Sequence, residues 1–420
     1  MDLRNLLVRT KQKPRARKKR SGLSARHLFF IVAALGIICV CIFLVTYVRF
    51  NAQPEQVTAR LVHNMVSRCK GGVDHTACYE SEVPKLFPTY TIPQIFDVIR
   101  GIRQTDHSYQ FCHVLAHKLG EKLVMQDRTK WMQAIPFNPS DGLCSNGFTH
   151  GVIGGRFRAN VLTDDALKAI LPDFRKACEP HDSWTPTPSM QATCYHGLGH
   201  LYVYITNAQL HKALSLCDQT TKSPSGDYGQ VCREGVFMQI YQPLEPDDFG
   251  MIEQMPIQPS TTTVRQFCSA YSSDPRNEGA CLRESWPFAR TGIVDGTGVD
   301  AFCANQPNDA ETVNCYRSAS SIIGRSNLGH AGAGTRACTK LQEKWQPLCI
   351  TFNATAILEE DLNAGPKAIA ECMSAPSDTS KQACLSNFAD HVQFYFGKHP
   401  EKRAAFCHVL PEPQQSTCLR

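Results

Sequence analysis

The stretch Cys372-Met-Ser-Ala-Pro-Ser-Asp-Thr-Ser-Lys-Gln-Ala-Cys384 decides how this chain is read. On a single helix, two cysteines so spaced would stand about 18 Å apart, whereas a disulfide needs Cα atoms within about 4.4 to 6.8 Å. If the pair is joined, the chain doubles back between its members, and Pro376-Ser377-Asp378 supplies the turn. The unit is then a stapled hairpin.

Moving outward, the same unit recurs. First members stand at 268, 303, 338, 372 and 407 and second members at 281, 315, 349, 384 and 418, all in steps of 34 or 35 residues. Two rulers with one period mark an internal repeat. Turn residues fall inside every interval: Asp274-Pro275 with Gly279, Pro307-Asn308-Asp309, Pro347, and Pro411 with Pro413. Of the 20 cysteines, Cys39 and Cys41 lie in an apolar run, and the remainder is even in number. Taken in order, they predict nine staples: Cys69–Cys78, Cys112–Cys144, Cys178–Cys194, Cys217–Cys232, Cys268–Cys281, Cys303–Cys315, Cys338–Cys349, Cys372–Cys384 and Cys407–Cys418.

Between staples the apolar spacing is helical. Leu385, Phe388, Val392 and Tyr395 share one face before Gly397 stops the run and Pro400 opens the next helix. Ile350, Ala354 and Ile357 do the same, with Gly365 read as the stop and Pro366 as the start. The expected fold is all-α, with disulfide-stapled helical-hairpin repeats stacked as an α-solenoid. Its period and two-helix unit resemble those of tetratricopeptide and Sel1-like repeats, some of which carry a disulfide per unit. The resemblance is one of layout; the residue signatures of those repeats are absent, and no functional residue is carried over from them.

The N-terminus is organised differently. Residues 1–27 hold ten Lys/Arg against Asp2 alone, a basic cytoplasmic tail. Residues 28–48 carry no formal charge and as a helix would measure about 32 Å, enough for a hydrocarbon core of about 30 Å. They read as a transmembrane signal-anchor, and the positive-inside rule places the remainder outside the cytoplasm. Residues 49–240 form a His/Gly/Cys-rich helical region, with one helix from Thr91 and another expected over His107 to Met125. The acidic, proline-bearing stretch 241–267 reads as a loop or boundary, and 268–420 holds the regular repeats.

The net charge of +6 comes from the tail; everything after it carries 34 basic and 37 acidic residues. Without clustered positive charge, the folded part has no electrostatic basis for nucleic-acid binding. Disulfides form in the periplasm, the secretory lumen and outside the cell. The sequon Asn353-Ala-Thr355 falls on an expected helix, which favours a bacterial envelope.

Candidate chemistry concentrates in the histidines. Cys112-His113-Val-Leu-Ala-His117-Lys-Leu-Gly-Glu121 puts His113, His117 and Glu121 on one helical stripe. Cys194-Tyr-His196-Gly-Leu-Gly-His200 repeats the pair spacing, and Cys144-Ser-Asn-Gly-Phe-Thr-His150-Gly adds a third setting. His150 and His200 both stand six residues after a staple cysteine, so in stacked repeats they become neighbours. With the thiols oxidised, imidazole and carboxylate remain as ligands, and the expected ligand is a transition metal (Zn, Cu or Fe) or a haem. The glycines crowding these segments imply close approach by a neighbouring helix or a flat ligand. The register position six after the staple is Met238 after Cys232 and Pro287 after Cys281, so the histidine pattern stops there. Asp141, Asp218 and Glu234 read as caps or surface residues, and His211, His330, His391, His399 and His408 as structural histidines.

No H-E-x-x-H, C-x-x-C-H, G-x-S-x-G, P-loop or C-x-x-C is present. Three readings follow: a membrane-tethered binding module holding metal or haem with the repeat surface open to a protein partner, a protein-interaction scaffold without ligand, and a metal-dependent hydrolase or oxidoreductase with Glu121 as base.

Overall fold

A computed structural model describes residues 55–109, 111–157, 161–181, 184–243, 246–328, 330–397 and 399–420. The anchor segment 28–48 lies outside them. Among the described residues no helix is long and apolar enough to cross a membrane. Arg60 to Arg420 form one compact unit.

That unit is helical apart from a two-stranded ribbon, Lys222–Ser223 with Gly226–Asp227. Its helices include α1 (His75–Glu82), α2 (Ile92–Thr105), α3 (His113–Val124), α4 (Gly147–Phe157), α5 (Asp164–Ala177), α6 (Pro188–Ile205), α7 (Leu210–Thr220) and α8 (Gly229–Tyr241). There follow α9 (Val264–Ser269), α10 (Pro275–Glu284), α11 (Val299–Cys303), α12 (Asp309–Ser326), α13 (Ala333–Cys338), α14 (Gln346–Glu360), α15 (Gly365–Met373), α16 (Asp378–Asp390), α17 (Pro400–Cys407) and α18 (Gln414–Leu419). Short polar side chains set the starts, each accepting a backbone N–H of the first turn: Thr91 for α2, Thr163 for α5, Thr187 for α6, Asn308 for α12 and Ser377 for α16.

Nine disulfides join cysteines that are neighbours in sequence order. From Cys178 onward each links the end of one helix to the helix that follows, with Cα atoms 5.5 to 5.8 Å apart. The helices that follow the staples pack on one another in succession: α4 on α6, α6 on α8, α8 on α10, α10 on α12, α12 on α14, α14 on α16 and α16 on α18. The row also returns on itself. Leu362 donates its N–H to the Asp141 carbonyl at 2.9 Å, Ser145 donates to Glu360, and Lys402 reaches Ser140 at 3.1 Å.

Apolar side chains form two clusters, one running from Val62 to Cys281 and one from Ile293 to Cys418. An ion ladder spans the seam between them. Arg283 on α10, fully buried, pairs with Glu234 on α8 at 3.1 Å and with Glu311 on α12. Guanidinium groups suit such a place because two acids can share one planar fork.

Several local expectations shift. The helix expected over His107 to Met125 begins only at His113, because Cys112 is tied to Cys144 and Asp106 holds the preceding turn through the N–H of Ser108. Gly365 does not end a helix: α14 stops at Glu360, where Asp361 goes extended and caps the following turn, and Gly365 opens α15. The stretch 241–267 contains the helix Pro246–Glu253, and the first apolar cluster continues beyond it to Cys281. Asn353 of the sequon is 1% exposed.

Candidate functional site

The disulfide Cys112–Cys144 fixes the start of α3 beside the turn that leads into α4, and the two helices then run against each other. Contact is close because glycine lines the seam. A Cβ on Gly151 would overlap the His117 backbone, and one on Gly147 the His113 backbone. On the next pair, Gly199 of α6 faces the Cys232 carbonyl of α8, and Gly235 faces that of His196. The space these glycines leave is filled by neighbouring helices, so they lend no support to a flat ligand.

Such close packing brings five imidazoles from α3, α4 and α6 into one cluster. His150 is its hub, with ring centres 5.1 Å from His113, 6.0 Å from His117, 5.8 Å from His196 and 5.7 Å from His200. His113 and His117 are 6.1 Å apart, His196 and His200 4.8 Å. Glu121 lies one turn beyond His117 on α3. His150 is buried and the other four are half-buried.

Four rings are held by carbonyl oxygens. His113 uses Nδ1 on the Cys144 carbonyl at 3.3 Å, His150 Nε2 on Thr193 at 2.8 Å, His196 Nδ1 on Val231 at 3.0 Å and His200 Nδ1 on the Gln239 side-chain oxygen at 2.9 Å. A carbonyl only accepts, so the ring nitrogen facing it carries the proton, and in the neutral rings of His113, His150 and His196 the opposite nitrogen presents a lone pair. For His150 that nitrogen is Nδ1, which is buried and finds no hydrogen-bond partner among the described residues.

In His113, His150 and His196 the surroundings favour the neutral ring. Burial first, then the neighbouring imidazoles, push His113 well below its usual range. Burial brings His150 down to about 4, with the Thr193 carbonyl opposing. His196 falls to about 3, again chiefly through burial. Deprotonated imidazole is the form that binds metal. As the side chains stand, no group of three or more His, Cys, Asp or Glu among the described residues is positioned to hold a metal ion.

One member of this neighbourhood escaped the sequence reading. Met238, on α8, brings its thioether sulfur to 3.3 Å from His196 Nε2. It occupies the register position of His150 and His200, six residues after Cys232, and that register was the available signal. Asp141, Asp218 and Glu234 lie in ion pairs with Arg100, Arg233 and Arg283.

No family model matches this chain, and neither a curated protein nor a solved structure matches it. The nine disulfides place the folded unit in an extracytoplasmic or secreted setting.

Proposed function

We propose that this protein is an extracytoplasmic binding module, an α-solenoid of stapled hairpins held at a membrane by residues 28–48, whose histidine cluster takes up a transition-metal ion. His113, His117, His150, His196 and His200 form the ligand pool, with Glu121 at its edge. One observation carries the reading. His113, His150 and His196 each spend one nitrogen on a carbonyl and leave the other without a proton, as ligating histidines do when an outer partner fixes their tautomer. The unpartnered Nδ1 of His150 is the sharpest case, since a buried acceptor without a donor costs about 1–3 kcal/mol and a cation removes that cost.

The spacing supports uptake with small ring rotations. Two imidazoles on one tetrahedral ion, with metal–nitrogen bonds of about 2.0–2.1 Å, place their ring centres about 5 Å apart. The observed separations run from 4.8 to 6.1 Å. Four half-buried rings give an ion a way in from solvent.

The test is metal analysis of the full-length protein made in an oxidising compartment under metal-replete conditions. About one bound transition-metal ion per chain is expected, falling below a tenth in a His150→Ala/His200→Ala variant whose helical circular dichroism is unchanged. A wild-type chain carrying no metal after dialysis against Zn²⁺ and Cu⁺ would sink the reading.

A further inference from the structure

The contact between His196 and Met238 is unbalanced in a way that names the ion. An imidazole with one proton can donate through one nitrogen only, yet His196 faces an acceptor on each side: the Val231 carbonyl at 3.0 Å from Nδ1 and the Met238 sulfur at 3.3 Å from Nε2. The carbonyl is much the stronger acceptor, so the proton sits on Nδ1. The Nε2 lone pair then points at a thioether that has only lone pairs to offer. A cation shared by the two atoms turns this opposition into two bonds. With bonds of about 2.0 Å to nitrogen and 2.3 Å to sulfur, an ion bridging them holds N and S roughly 3.3–3.7 Å apart. The pair already has that bite.

We infer that the histidine cluster is a monovalent copper site in which His196 Nε2 and the Met238 sulfur are ligands, completed by His200 or His150. The inference rests on the metal-binding reading above and narrows it to Cu⁺. Three features select that ion. Thioether sulfur is a soft ligand that favours Cu⁺ over Zn²⁺. The groups that face His196 are the Val231 carbonyl, the Met238 thioether and the rings of His150 and His200, none of which brings a negative charge; the cost of bringing charge into a low-dielectric interior grows with its square, so a divalent ion costs about four times what a monovalent one does. Finally, all eighteen cysteines of residues 69–418 are oxidised, which leaves the thioether as the soft donor at this site.

The register explains how the ligand set arises. His150, His200 and Met238 stand at the same step of three successive stapled helices, α4, α6 and α8, which pack side by side. The repeat thus builds a row of two imidazoles and a thioether from one position, and His196 adds its ring one turn back on α6.

The experiment is a competition between the full-length protein and bicinchoninate for Cu⁺, with ascorbate as reductant because it leaves disulfides intact. Zn²⁺ affinity is measured in parallel. Wild type should hold one Cu⁺ at least a hundredfold more tightly than Zn²⁺. Met238→Leu keeps the side-chain volume and removes the sulfur; it should weaken Cu⁺ at least tenfold, leave Zn²⁺ unchanged and abolish the Cu–S scattering seen by X-ray absorption. Met238→His should move the preference toward Zn²⁺. Zn²⁺ bound as tightly as Cu⁺, or a Met238→Leu protein that melts like wild type and keeps its Cu⁺ affinity, overturns the copper assignment alone. Binding of neither ion overturns the metal-site reading as well.

Discussion

The rings of His150 and His200 lie 5.7 Å apart, although each belongs to a different stapled hairpin. Both stand six residues after the second cysteine of their staple, and α4 packs directly on α6. A disulfide fixes where each helix begins relative to its turn, so equal distances along the chain become equal heights in the row. The cluster depends on that alignment and on helices close enough for rings to meet.

Glycine substitutions separate close approach from mere presence. Gly151→Ala would put a methyl 2.7 Å from the His117 carbonyl carbon and force α3 and α4 apart, with an expected loss of about 1–3 kcal/mol. At Gly154 the same methyl meets only His117 Cε1 at 3.8 Å, an ordinary contact, and helix propensity should give a gain of about 0.5–1 kcal/mol. Chemical denaturation of the two variants checks this; equal effects would contradict the packing described.

Removal of staples should scale with the chain each one closes. Cys112–Cys144 spans 32 residues and Cys407–Cys418 spans 11. On chain-entropy grounds the paired Cys→Ser change should cost roughly 1 kcal/mol more at the first staple than at the second. The first variant should also lose metal, since Cys112 precedes His113 and sets its height. Denaturant midpoints and metal content read the two effects separately.

Arg283 and Arg276 offer a contrast between buried and exposed ion pairs. Arg283→Ala strands Glu234 and Glu311 without their shared partner and should cost about 3–5 kcal/mol. Arg276 is 54% exposed where it meets Asp274 at 2.6 Å, and its loss should cost under about 1 kcal/mol. Similar melting temperatures for the two alanine variants would refute the ladder as a structural seam.

Glu284 should give stability a pH dependence. Burial first, then the Glu234 carboxylate, raise its acid to about 8 against the opposing Arg283 and Arg325. The folded state therefore prefers the proton. This contribution is complete below the ordinary glutamate range, near 4.5, and is lost as pH rises through about 8. Glu284→Gln removes that loss, so the variant should gain on wild type by on the order of a few kcal/mol between pH 5 and pH 9, with the Gln242 contact retained. Parallel stability curves across that window would rule the effect out.

The cysteine and proline spacing determined much of this protein unaided: nine staples between neighbouring cysteines, a turn inside each of the five from Cys268 onward, helices between them, and an oxidising compartment. Those features are local, since covalent reach and turn chemistry act over a dozen residues or so. A helix starting at Thr91 and Leu385, Phe388, Val392 and Tyr395 as one buried face were legible for the same reason. The equivalence of His150 and His200 could also be read, because register survives in sequence. Only the tertiary structure decided that the glycines serve helix contact, that His150 becomes the hub of five rings, and that Met238 meets His196. Each of these depends on how far apart two helices pack and which way a side chain turns, and that is set by contacts between residues from separate hairpins rather than by spacing along the chain.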